Sequence, residues 1–68
     1  MDEMSQVPRD LARALRQALL ALARMEDNFA CTEAARVPYW AACPPSVQGH
    51  RAAAQALRTD ADRFVWAV

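Results

Sequence analysis

Residues 36–51, RVPYWAACPPSVQGHR, gather three of the four prolines, the only tyrosine, the only glycine and the only histidine, with one tryptophan and one cysteine. Whether this cluster is a chemical site or a change of chain direction decides the fold. A proline inside a helix removes one hydrogen bond and crowds the turn before it, so Pro38 cannot continue a helix arriving from upstream. Val37 is pushed towards extended geometry by the same ring. Pro44 and Pro45 break the chain again, and Ser46 offers a side-chain oxygen to start a new helix. The cluster is most economically a bend, with Tyr39 and Trp40 covering it.

Upstream, PRDLARALRQALLALARMEDNFA is rich in strong helix formers. Its apolar positions Leu11, Leu15, Ala18, Leu22, Met25 and Phe29 alternate steps of four and three, a heptad-like seam. Downstream, Val47, His50, Ala54, Leu57, Ala61, Phe64 and Val68 form a second seam, with Arg58 and Asp62 spaced as an ion pair on the opposite stripe. Strand signals are absent. These patterns predict an all-α chain, an antiparallel helical hairpin or three-helix bundle, with helices near 8–36 and 46–66. In the three-helix alternative the first helix breaks near 27 and 38. Residues 1–7 are expected as a flexible tail, Ser5 offering a cap to the first helix, and 8–68 as one helical domain. The two seams are expected to face each other. A lone helix pair leaves each half covered, and the natural remedy is a homodimeric four-helix bundle or docking on a larger protein.

Sixty-eight residues allow one small core, and sixteen are alanine, which buries little area. All eight basic residues are arginine, a bias typical of high-GC bacterial or phage genomes. Formal net charge is zero, which argues against a dedicated nucleic-acid binder. The acidic start is unlike a signal peptide, and the apolar runs fall short of the roughly 20 residues of a membrane span. A cytoplasmic protein is expected.

Chemistry is sparse. Cys31 and Cys43 lie twelve apart with one histidine in the chain, which is not the paired spacing of a zinc site. They are expected as thiols packed like small hydrophobes, although a bridge becomes possible if the chain folds back between them. His50, on an apolar seam, is expected as a packed residue with one satisfied nitrogen. One glycine supplies no phosphate-cradling loop. No cofactor, metal or catalytic residue is expected. The remaining candidate is a partner-binding face on the first helix, Arg9, Arg13, Arg16 and Arg24 with Leu20 as apolar anchor. Asp10 lies within helical reach of Arg13, and Asp27 of Arg24. Trp66, placed by a hairpin near residues 8–15, is a further candidate for partner binding, the alternative being that it folds over the hairpin end. Arginine suits such a face because its planar fork binds carboxylate or phosphate in pairs. The function expected is a small non-enzymatic interaction module, an adaptor, regulator or inhibitor of a larger protein. The alternatives are nucleic-acid binding or membrane-surface association through the arginine face.

Overall fold

The computed structural model describes residues 7–67 and consists of two helices, α1 (Arg9–Ala35) and α2 (Pro45–Asp62), followed by a 3-10 turn, Val65–Ala67. The expected tail lies outside the described residues except for Val7, and so does the Ser5 cap.

Helix α1 opens on Pro8, whose extended backbone (φ −56°, ψ 141°) aims its carbonyl at the N–H of Ala12, 2.9 Å away. It then runs unbroken for 27 residues. The break considered near residue 27 does not occur. No proline or glycine interrupts residues 9–35, and the mild helix aversion of Asp27 and Asn28 is too small to end a helix that packs along its length. The helix closes at Arg36, two residues before Pro38, with tight bonds from Arg36 N to Glu33 O and Val37 N to Ala34 O. Between the helices a single turn forms, its hydrogen bond running from Ala41 N to Pro38 O at 3.0 Å. No third helix forms in this segment, so the hairpin, not the three-helix bundle, is the architecture.

Helix α2 starts one residue earlier than expected and without the Ser46 cap. Pro44 is the N-cap residue and Pro45 occupies the first helical position, where its fixed φ suits a helix and its missing N–H is no loss. The diproline therefore starts the helix, and Ser46 lies inside the first turn. The helix also ends sooner than 66. After Asp62 the chain tightens through bonds from Phe64 N to Ala61 O and from Ala67 N to Phe64 O. In a continued α-helix the residues in line with Ala61 would be 65 and 68. The tightening turns Ala67 inward instead, so Ala67 is buried and Val65 exposed.

The helices pack antiparallel along a line of small side chains. Buried on α1 are Ala12, Ala23 and Ala30; facing them are Val47, Ala54, Ala61 and Ala67. Val47 is the one larger side chain fully buried among the described residues. The α2 seam is the expected one as far as Phe64, while Val68 lies outside the described residues. The α1 seam is not. Leu11, Leu15, Leu22, Met25 and Phe29 face outward at 52, 40, 47, 52 and 51% exposure. They sit about 100° round the helix from the alanine line. A helix with one neighbour can turn only one stripe towards it, and here that stripe is alanine, which lets the two axes approach closely. The result is a slab of 50 × 20 × 12 Å, about one helix thick.

Candidate interaction surfaces

The two edges of the hairpin differ in chemistry. On one, Asp27 pairs with Arg58 across the helices, so Asp27 does not serve Arg24, nor Arg58 the expected Asp62. On the other, Nδ1 of His50 is hydrogen-bonded to Oε2 of Glu26, and the imidazole lies over Phe29 with ring centroids 5.4 Å apart. His50 is thus the packed, singly satisfied histidine expected. Leu57 and Phe64, both half-buried, follow His50 at intervals of seven and occupy the same edge of α2. That edge adjoins the outward stripe through Phe29. The stripe and this edge form one largely apolar face.

The arginine face is divided by the packing. Arg13 Nε donates to the carbonyl of Ala67 at 3.1 Å. This bond ties the C-terminal turn to the first turns of α1 and sets Trp66, 39% exposed, at the open end of the hairpin beside them, as expected. Arg9 is exposed there too. Arg16 is half-buried, and its Nε is shielded from solvent with no hydrogen-bond partner among the described residues. Leu20 is half-buried and forms part of the packing margin, not a projecting anchor. Arg24 is exposed but lies eleven residues, roughly 16 Å, along the helix from Arg13. The structure therefore gathers Arg9, Arg13, Arg16 and Trp66 at one end and leaves Arg24 apart. The contribution of Ala67 is not visible in helical periodicity, because it depends on the 3-10 tightening.

At the closed end Tyr39 and Trp40 meet edge to face, centroids 5.3 Å apart, and stand in solvent at 96 and 75% exposure. They do not cover the bend as expected; they project from it. Cys31 and Cys43 are free thiols and exposed, not packed as small hydrophobes. Among the described residues no group of three or more His, Cys, Asp or Glu side chains is placed to hold a metal ion. No described helix is long and apolar enough to cross a membrane. Comparison with protein-family models, curated proteins and solved structures finds no match for this chain.

Proposed function

We propose that this chain is a small non-enzymatic protein-interaction module, an adaptor, regulator or inhibitor that works in the cytoplasm by contact with a larger protein. The observation that carries this reading is the outward stripe of Leu11, Leu15, Leu22, Met25 and Phe29 on a hairpin one helix thick. Folded domains normally bury such a face against a second layer. Large contiguous apolar patches on small proteins mark contact surfaces. The open end, with Arg9, Arg13 and Trp66, supplies the residue types that anchor protein interfaces. Exposed Cys31 and Cys43 suit a reducing compartment.

The arginines give less support to nucleic acid or lipid. Arg36, Arg58 and Arg63 each have a carboxylate within 4.0 Å, and formal net charge is zero. The stripe is flanked on its own helix by Asp10, Glu26 and Glu33, which anionic headgroups would repel.

The test is capture from host lysate with the tagged chain as bait, beside an Arg9→Glu/Arg24→Glu/Trp66→Ala variant and a Leu15→Glu variant, both checked for retained helicity. One protein of different sequence, held in stoichiometric amount by the wild type and lost by either variant, is the expected result. Recovery of the bait alone counts against the reading.

A further inference from the structure

The outward stripe is symmetric. Its steps run four, three, four, three, four, so a reversed copy of α1 meets it in register. We propose that the stripe is occupied by a second copy of this chain, packed antiparallel about a dyad midway between the levels of Ala18 and Leu22; this rests on the interaction-module reading, the dimer being the form that presents the open end with Arg9, Arg13 and Trp66 to the larger protein.

Size favours the antiparallel alignment. It sets Leu11 against the partner's Phe29, Leu15 against the partner's Met25, and Ala18 against the partner's Leu22. The largest gap in the stripe is thereby filled by a leucine. A parallel alignment would set alanine against alanine and phenylalanine against phenylalanine, leaving a hollow beside a bulge. The alternation of four and three is that of a heptad seam, which suits a shallow left-handed crossing.

The area is of the size a dimer needs. Five side chains at about half exposure leave roughly 400 Å² of apolar surface per chain, taking about 80 Å² each. Two stripes give roughly 800 Å², and the adjoining edge with Leu57 and Phe64 carries the total past the roughly 1,000 Å² expected of a specific interface. A second slab on this face also supplies the second layer that the hairpin lacks.

Sedimentation equilibrium on the purified full chain, kept reduced because of its exposed thiols, tests the proposal. The wild type is expected at twice the 7.6 kDa chain mass at micromolar concentration. Leu15→Glu and Met25→Arg, each made alone, are expected to be monomeric with helical circular dichroism retained, since both positions face away from α2. The Leu15→Glu/Met25→Arg double variant is expected to dimerise again in low salt, because the antiparallel register sets each new carboxylate against a new guanidinium. Within one helix the two positions are ten residues apart and cannot pair. A monomeric wild type, dimers that survive either single change, or a double variant that stays monomeric would each overturn the proposal. A monomeric wild type that still captures a different protein from lysate overturns the second copy alone and leaves the interaction module standing.

Discussion

Leu22 and Ala23 are neighbours in the chain, and their substitutions should behave in opposite ways. Ala23 is 1% exposed and lies on the line of small side chains between the helices, whereas Leu22 is 47% exposed on the outer stripe. Ala23→Leu forces three further carbon atoms into a contact built from alanine, and overpacking of that kind costs about 1–3 kcal/mol. A core this small holds only about 3–5 kcal/mol in total, so much of the stability is lost. For a domain of this length each kcal/mol moves the midpoint by about 4–8 °C. A cost near 2 kcal/mol therefore lowers it by about 8–16 °C. Leu22→Ala gives up the burial of a half-covered side chain, about 1 kcal/mol at most, and recovers part of that because alanine is the better helix former. Both changes are best made in the Leu15→Glu background, where self-association does not contribute, and followed by urea and thermal unfolding with far-ultraviolet circular dichroism. If Leu22→Ala proves the more damaging, the leucine stripe faces α2 and the alanine packing described above is wrong.

Two further outcomes follow from the same geometry. Arg58→Ala should cost no more than about 1 kcal/mol, and the loss should shrink as salt is added, because the Asp27–Arg58 pair is 39 and 42% exposed and a half-solvated ion pair is worth little. Unfolding curves at low and high ionic strength would show this, and a salt-independent loss above 2 kcal/mol would contradict it. Cys31 and Cys43 should both react with a thiol reagent in the native hairpin as fast as in the unfolded chain, and a double serine variant should shift stability by less than about 0.5 kcal/mol. Protection of either thiol in the Leu15→Glu monomer would refute the exposure described.

The helices, the bend and the α2 seam were legible in the sequence because each rests on a local rule. Pro38 ends one helix, the diproline marks where the next begins, though as its first residues and not as a break before a Ser46 cap, and 47, 50, 54, 57, 61 and 64 fall on one line. What α1 turns towards α2 was not legible. Periodicity gives the angle of an apolar stripe but not its neighbour, and α1 carries two stripes. The one written in leucine, methionine and phenylalanine dominates any count of hydrophobicity. The one written in Ala12, Ala23 and Ala30 looks like helix propensity. The ion pairs were missed for a related reason. Spacing within one helix suggests Arg58 with Asp62 and Arg24 with Asp27, whereas a long arginine at the edge of a close-packed pair reaches across to the other helix. Of the arginine face, the part held by the C-terminal turn depends on the 3-10 winding after Asp62, which no propensity at Arg63 or Phe64 announces.

The alanine line also has a calorimetric consequence. The heat capacity released on unfolding comes chiefly from apolar surface newly exposed to water, usually about 12–15 cal/mol/K per residue in globular domains. Six alanines and one valine, with five larger apolar side chains already half in water, add little. The isolated hairpin should therefore have a flat stability curve and a broad melting transition, with a heat-capacity step below that range. Covering the outer stripe would place most of the temperature sensitivity in the contact between chains, so the curvature of stability with temperature would become a function of protein concentration.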